Sequence, residues 1–170
     1  MSNAEINLIE NFLSDSDVML EWGSGGSTVL FPQKVKRYYS IEHVEDWYNS
    51  VNDEIVNRGL SDKVHNFLVE PDLPRTIPTK YDEFKTYIEY VDRLSTTFDK
   101  VLINGRARVQ CAERVLPHLS KNAIVFIHDF WQRPQYHSIL NLYDEVMSIK
   151  SGQSIVALTP KKIIKSSFIL

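Results

Sequence analysis

Short apolar runs alternate with amphipathic stretches along most of this chain. The apolar runs predict five strands, at residues 18–22, 37–42, 63–69, 100–103 and 123–127. The run AIVFI at residues 123–127 is almost wholly apolar, which is typical of a central strand that is covered on both faces.

The amphipathic stretches predict helices at residues 6–13, 45–57, 81–94 and 109–119. A further helix after the glycine-rich loop at residues 23–26 must be short, because Pro32 follows soon afterwards. A loop at residues 130–136 leads into another helix that ends near Tyr143. Residues 145–150 and 154–159 predict an antiparallel hairpin, and residues 163–170 a further strand or a docked tail.

The order of these elements predicts an α/β fold. Strand and helix alternate five times before the hairpin, so we expect a doubly wound, mostly parallel seven-stranded sheet with a C-terminal antiparallel hairpin. The 170 residues are enough for one such domain, and we expect residues 1–170 to form it alone.

Composition removes several classes of function. A net charge of -3 with scattered basic residues gives no sign of a nucleic-acid partner. The single cysteine, Cys111, excludes an internal disulfide and a cysteine-based zinc site. No apolar run approaches the roughly 20 residues of a membrane span, and the N-terminus lacks a signal-peptide pattern. We therefore expect an intracellular, cytoplasmic protein without a membrane partner.

The segment VMLEWGSGGST at residues 18–28 is the most informative in the chain. An apolar run ends in Glu21, a glycine-rich turn follows, and Ser27 and Thr28 open a helix. A second acidic residue, Glu42, ends the next apolar run about twenty residues on, where a ribose would be held. Together these features predict a nucleotide-binding crevice at the switch point of an open α/β sheet.

The chain resembles the class I S-adenosylmethionine-dependent methyltransferases over nearly its whole length. The resemblance rests on E-x-G-S-G-G-S-T from Glu21, on Ile41-Glu42-His43, and on the strand ends at residues 102–106 and 126–129. That fold also ends in an antiparallel strand. A nicotinamide dehydrogenase more often shows G-x-G-x-x-G with a longer helix.

The resemblance implies a role for each residue of a cofactor site. Glu21 would lie beneath the methionine amino group, Glu42 would accept hydrogen bonds from both ribose hydroxyls, and His43 would lie against the adenine. Gly23, Ser24 and Gly25 would let the cofactor approach the backbone closely. Ser27 and Thr28 would reach its carboxylate, Glu70 would flank the adenine edge, and Asn104 would hold the methionine end.

Each of these positions also has a simpler interpretation. The glycines can form an ordinary tight turn, Glu42 and Glu70 can be solvated carboxylates, and His43 can be a packed histidine. The aromatic residues Trp22, Trp47 and Tyr48 are expected in the core, with Trp47 at core spacing in the 45–57 helix.

The ends of the fourth and fifth strands resemble those of small-molecule O-methyltransferases, including the catechol and sugar enzymes. Many of those enzymes hold magnesium with an acid after strand four and an acidic pair after strand five. Here Asn104, His128 and Asp129 stand at these positions, and they form a weak set for a hard cation. We therefore expect no requirement for a divalent metal.

The same strand ends supply candidate chemistry for an acceptor. His128 is the candidate general base, and Asp129 would orient it or bind a substrate hydroxyl. Arg106 and Arg108 would clamp an acidic or polyhydroxyl substrate, or pair with Glu113 and surface acids. The aromatic and polar loop that follows suits a sugar ring or a flat aromatic acceptor, through three further residues: Trp131, Arg133 and Tyr136.

These observations favour an S-adenosylmethionine-dependent O-methyltransferase that acts on a sugar or glycan hydroxyl. The alternatives are a methyltransferase for a phenol, amine or carboxylate, a domain that binds the cofactor without chemistry, and a different nucleotide-binding enzyme. The oligomeric state stays open, although the apolar tail at residues 163–170 suggests the edge of a homodimer.

Overall fold

The computed structural model describes residues 1–74 and 80–162. Seven strands form a single sheet: β1 (Val18–Trp22), β2 (Arg37–Glu42), β3 (Val64–Leu68), β4 (Phe98–Ile103), β5 (Leu119–His128), β6 (Tyr143–Ile149) and β7 (Ile155–Pro160). The first five strands run parallel to one another, whereas β7 is antiparallel to both β5 and β6. This confirms the predicted fold class. The tail predicted at residues 163–170, with its proposed dimer edge, lies outside the described residues.

Helices cover both faces of the sheet: α1 (Asn3–Glu10), α2 (Gly26–Leu30), α3 (Glu45–Asn57), α4 (Lys85–Glu89) and α5 (Arg108–Val115). On one face α1, α2 and α3 belong to an apolar cluster with strand residues such as Met19 and Phe126. On the other face α4, α5 and a 3-10 helix at Pro134–Asn141 pack against strand residues such as Leu20 and Val101. Burial on both faces explains why β1, β4 and β5 are so apolar.

The strand order, β3-β2-β1-β4-β5-β7-β6, determines where a ligand can bind. β1 pairs with β2 on one side and with β4 on the other. The connections from β1 and β4 therefore leave the sheet in opposite directions, and a crevice opens beyond the carboxyl ends of these strands.

The helix predicted at residues 109–119 ends at Val115, because Leu119 already begins β5, and three other helical predictions also differ from the structure. α1 begins at Asn3 and not at residue 6, because Ser2 and Glu5 form a capping box that starts the helix earlier. The stretch predicted as one helix at residues 81–94 is divided at Phe84, whose φ of -132° interrupts it. Its apolar positions Phe84, Ile88 and Val91 are nevertheless fully buried.

The third difference concerns the segment after β5. The predicted helix that ends near Tyr143 is a 3-10 helix at Pro134–Asn141, and Tyr143 already begins β6. The Tyr143 hydroxyl donates a hydrogen bond to the carbonyl of Ala112 at 2.6 Å, which ties the start of β6 to α5. Within the described ranges, no helix combines the length and the apolar character needed to cross a membrane.

Candidate functional site

A cavity of about 830 Å³ opens beyond the carboxyl ends of β1, β2 and β4. Its walls come from the glycine loop and α2, from residues 42–44 with Trp47 of α3, and from residues 104–106 with Arg108 of α5. Met1 and Ile6 of the N-terminal segment close one side. The cavity lies at the switch point of the sheet, where α/β folds bind their ligands.

Two glycines cross at the floor of this cavity. Gly23 has a φ of +94°, and a Cβ there would lie 2.6 Å from the Cα of Gly105. A Cβ on Gly105 would in turn collide with the Tyr87 hydroxyl. Only glycine at both positions lets the loops after β1 and β4 come together. Gly25 is different, because a Cβ there would meet only the Trp47 ring at 3.8 Å.

Glu21 lies beneath the glycine loop and is fully buried. Its carboxylate accepts hydrogen bonds from the hydroxyls of Ser27, of Thr28 at 2.6 Å and of Ser40 at 3.2 Å. Burial raises the pKa of Glu21 to about 7, against the opposing effect of these hydroxyls. These side chains therefore bond to one another and brace the loop from below, while Ser27 also borders the cavity. Their contacts with a cofactor stay a prediction.

Ser24 is also turned into the protein. Its hydroxyl donates to Oδ1 of Asn66 at 2.7 Å and lies 2.8 Å from the Ser40 hydroxyl. The backbone N–H of Gly25 donates to the Thr28 hydroxyl at 2.8 Å. The loop is thus tied to β2, β3 and α2 by its polar side chains.

Glu42 borders the cavity at the end of β2 and is 3% exposed. Its Oε1 accepts hydrogen bonds from the backbone N–H groups of His43 at 2.8 Å and Val44 at 2.9 Å. Among the described residues, nothing donates to Oε2. The His43 ring also borders the cavity and packs edge-to-face against Phe84 and Tyr87. The structure thus presents an oriented carboxylate beside an aromatic ring.

Trp47 does not belong to the core, contrary to the prediction. Its side chain is 53% exposed, and its indole N–H donates to the carbonyl of Ser24 across the mouth of the cavity. Trp47 lies in the first turn of α3, which projects beyond the sheet, whereas Val51 and Ile55 face the core. Trp22 is fully buried, as expected.

Glu70 is exposed and does not border the cavity. The last residue held beside β2 is Val69, whose N–H donates to the carbonyl of Glu42 at 2.7 Å. Glu70 lies beyond this hydrogen bond, in the loop after β3. The structure therefore does not bring Glu70 to the position expected for an adenine contact.

After β4, Asn104, Arg106 and Arg108 all border the cavity, but the Arg108 guanidinium is held by protein groups. Arg108 is 8% exposed, and its guanidinium donates to the carbonyls of Gly105, Asn104 and His128. A guanidinium with these bonds cannot serve as a free substrate clamp. It fastens the loop after β4 to the end of β5.

His128 ends β5 and is 4% exposed. Its Nδ1 lies 3.5 Å from Oδ1 of Asp129, and its Nε2 lies 3.5 Å from Oε2 of Glu5 in α1. Burial lowers the pKa of His128, while both carboxylates act in the opposite direction. Neither His128 nor Asp129 borders the cavity itself; both lie behind Arg108 and α1.

A charged and aromatic rim continues from Asp129. Arg108 and Arg133 both approach Oδ2 of Asp129, at 3.2 and 3.3 Å. Both guanidinium groups also lie over the Tyr136 ring, at 5.7 and 5.8 Å from its centroid. Trp131 is half-buried beneath the Lys150 ammonium group. Arg133 and Tyr136 therefore lie together beside Asp129 and the cavity-lining Arg108, whereas Trp131 lies against Lys150.

Backbone strain is concentrated at this end of the sheet. Among the described residues, three residues other than glycine have positive φ: Ala107 before α5, Asp129 after β5 and Ser154 before β7. The last two are joined, because the N–H of Asp129 donates to the carbonyl of Ser154 at 2.8 Å. Such conformations cost roughly 1–3 kcal/mol each and are common at functional sites.

Comparison with known proteins identifies the architecture. No family model and no curated protein matches the sequence, but many solved structures share its fold. A methyltransferase-like protein from Silicibacter pomeroyi superposes with a TM-score of 0.73 at 23% identity, over 98% of this chain and 91% of that one. The fold is that of the methyltransferases.

Two further methyltransferase structures agree with this result. An rRNA methylase from Streptococcus thermophilus superposes with a TM-score of 0.67 at 11% identity, over 94% of this chain and 95% of that one. A Streptococcus mutans protein described as a methyltransferase, solved in complex with S-adenosylhomocysteine, gives a TM-score of 0.63 at 9% identity, over 94% and 100%.

Two residues in this methyltransferase fold were missed by the sequence analysis. Trp47 was assigned to the core on its spacing alone. Glu5 was not assigned any role, because no local pattern links residue 5 to residue 128.

Within the described part of the chain, no group of three or more histidine, cysteine or acidic residues is arranged to hold a metal ion.

Proposed function

We propose that this chain is an S-adenosylmethionine-dependent methyltransferase. The observation that supports this most strongly is the combination at the cavity of the Gly23–Gly105 crossing with the buried, oriented carboxylate of Glu42. The crossing removes side chains from the floor, so a ligand can approach the backbone closely. The carboxylate offers Oε2 to a pair of hydroxyl donors.

Different residues around the cavity suit different parts of S-adenosylmethionine. Glu42 would hold the ribose, His43 would lie against the adenine, and Asn104 would contact the methionine end. When bound, S-adenosylmethionine supplies a methyl group whose bond to sulfur breaks, with the electron pair staying on sulfur, as the acceptor atom bonds to carbon. Glu21 would support this site from below by fixing the glycine loop.

For the acceptor we propose a hydroxyl of a sugar or glycan, with His128 as the general base. The rim of Trp131, Arg133 and Tyr136 beside Asp129 supports this class, because aromatic faces and charged hydrogen-bonding groups suit a polyhydroxyl ring. Arg106 is exposed beside the cavity and forms no ion pair with the described residues, so it would reach an acceptor in place of Arg108. His128 would take the hydroxyl proton as the new bond forms. Because His128 does not border the cavity, the acceptor would have to reach it from the side of Asp129.

Calorimetric titration with S-adenosylmethionine and S-adenosylhomocysteine tests the cofactor. We expect micromolar binding by the wild-type chain and a loss of at least about tenfold in Glu42→Ala, because a charged hydrogen-bond acceptor is worth about 1.5–3 kcal/mol. Glu70→Ala is the matched control: it removes an exposed carboxylate outside the cavity and should bind like wild type. Stronger binding of a nicotinamide dinucleotide would contradict the proposal.

Methyl transfer to a panel of acceptors tests the second step. Transfer to sugar hydroxyls that is lost in His128→Gln, with cofactor binding retained, is the expected result. Transfer to phenols, amines, carboxylates or RNA, and not to sugars, would contradict the proposed sugar acceptor and identify the acceptor class that takes its place. The rRNA methylase among the structural neighbours makes RNA a necessary member of the panel. Binding without transfer to any acceptor would favour a domain that has lost its chemistry.

A further inference from the structure

Glu5 is a buried carboxylate that the proposed cofactor site does not use. It lies in the first turn of α1 and is 1% exposed. Its Oε2 accepts a hydrogen bond from the N–H of Ser2 at 2.6 Å, which completes the capping box. A solvent-exposed glutamate would cap the helix equally well, so the cap does not explain why the carboxylate is buried.

The burial of Glu5 places it against His128. Oε2 of Glu5 lies 3.5 Å from Nε2 of the imidazole, and this nitrogen has no hydrogen-bond partner in the described structure. On the other side of the ring, Nδ1 lies 3.5 Å from Oδ1 of Asp129. The imidazole is therefore enclosed between the carboxylate of its neighbour Asp129 and that of Glu5, which is distant in the sequence.

We propose that Glu5 is a positioning residue for His128, which holds the ring in place and favours the protonated state at Nε2. The inference rests on the proposed role of His128 as general base. With the Nδ1 proton directed at Asp129, the lone pair of Nε2 faces the Glu5 carboxylate. Protonation of Nε2 converts this repulsion into attraction, so Glu5 makes the ring a stronger base.

Several charged groups of the described residues act on the His128 ring. Asp129 and Glu5 favour the imidazolium, whereas Arg108 of α5, the N-terminal amine of Met1 and burial itself oppose it. Asp129 is already shared with Arg108 and Arg133 through its Oδ2. Among the described residues, the Ser2 N–H is the one hydrogen-bond donor to the Glu5 carboxylate, on the same oxygen, so its charge acts on His128 with less competition.

α1 thereby gains a function beyond packing. Leu8 and Ile9 anchor the helix in the core, Ile6 and Met1 face the cavity, and Glu5 reaches the end of β5. The helix couples the wall of the cofactor cavity to the group that would receive the acceptor proton.

The test is a histidine NMR titration of the full chain, with the His128 signal assigned by its loss in His128→Gln. In Glu5→Gln the pKa of His128 should fall by about one unit, because an opposing carboxylate has been removed. Glu5→Asp keeps the charge and should restore most of the wild-type value. Ser2→Ala removes the cap hydroxyl but leaves the carboxylate, and should change this pKa little.

Each pattern of results decides the inference. A fall in Glu5→Gln with recovery in Glu5→Asp supports it. Equal values in wild type and Glu5→Gln overturn it, and so does an equal fall in both variants, because then the charge is not the cause. Titration with S-adenosylhomocysteine separates this question from the cofactor: Glu5→Gln should bind like wild type, and failure of the wild type to bind would count against the proposed function alone.

Discussion

The two ends of the proposed site are built by different physical means. At the ends of β1 and β2, the surface is made by backbone: two crossing glycines, and a carboxylate oriented by two N–H groups. At the end of β5, it is made by ionisable side chains in contact, with His128 between Glu5 and Asp129. The first end depends on steric fit, and the second on charge. Substitutions should therefore affect the two ends in different ways.

The largest effect is expected at the glycine crossing. Gly23→Ala combines a φ of +94° with a Cβ 2.6 Å from the Gly105 backbone, so we expect a loss of more than about 3 kcal/mol in the free energy of unfolding. Urea denaturation measures this loss.

Gly26→Ala is the control for the crossing, because a Cβ there would meet nothing within 4 Å. It lies at the start of α2, where alanine should change stability by less than about 1 kcal/mol in either direction. Equal stability of the two variants would refute the steric account.

Glu21 is an ionisable group buried beneath the first end, and its titration gives the next largest effect. Its folded pKa of about 7 lies above the ordinary value of 4.5, so the folded state holds the proton more tightly than the unfolded chain. This contribution to stability is fully present below pH 4.5 and is lost as the pH rises through about 7. The loss should be on the order of 3 kcal/mol.

Glu21→Gln isolates this contribution. We expect the wild-type free energy of unfolding to decrease more between pH 5 and pH 8 than that of the variant, which has no carboxyl to ionise at this position. Parallel pH profiles for the two proteins would show that Glu21 stays ionised in the folded state throughout, contrary to the account.

At the second end, Arg108→Ala should cost about 2–3 kcal/mol of stability, because it leaves buried carbonyls without donors. Arg106→Ala, in an exposed side chain of the same loop, should change stability by less than about 0.5 kcal/mol. Thermal and urea unfolding of the pair compares a structural arginine with a surface one. Similar losses in both would contradict the different roles assigned to them.

The sequence predicted the first end much better than the second. The loop after β1 and the carboxylate at the end of β2 are encoded within about twenty-five residues, as strand, acid, glycines and a second acid. The parallel direction of the first five strands also follows from local alternation, because strands joined by helical connections run parallel. The direction in which Glu21, Ser27 and Thr28 point was not predictable, since it depends on how they bond to one another.

The second end depends on contacts between distant parts of the chain. Nothing near Arg108 in the sequence indicates that it would be buried against the carbonyl of His128, and nothing near Glu5 indicates His128 at all. The prediction that Trp47 lies in the core was wrong for a related reason. Helical spacing indicates the side of α3 on which Trp47 lies, but not where the sheet beneath the helix ends.

A crystal structure of the chain with S-adenosylhomocysteine is the most direct test of the central claim. The account predicts the ribose hydroxyls on Oε2 of Glu42, the adenine beside His43 and the amino acid end over the Gly23–Gly105 crossing. A ligand bound elsewhere, or one whose ribose avoids Glu42, would contradict it.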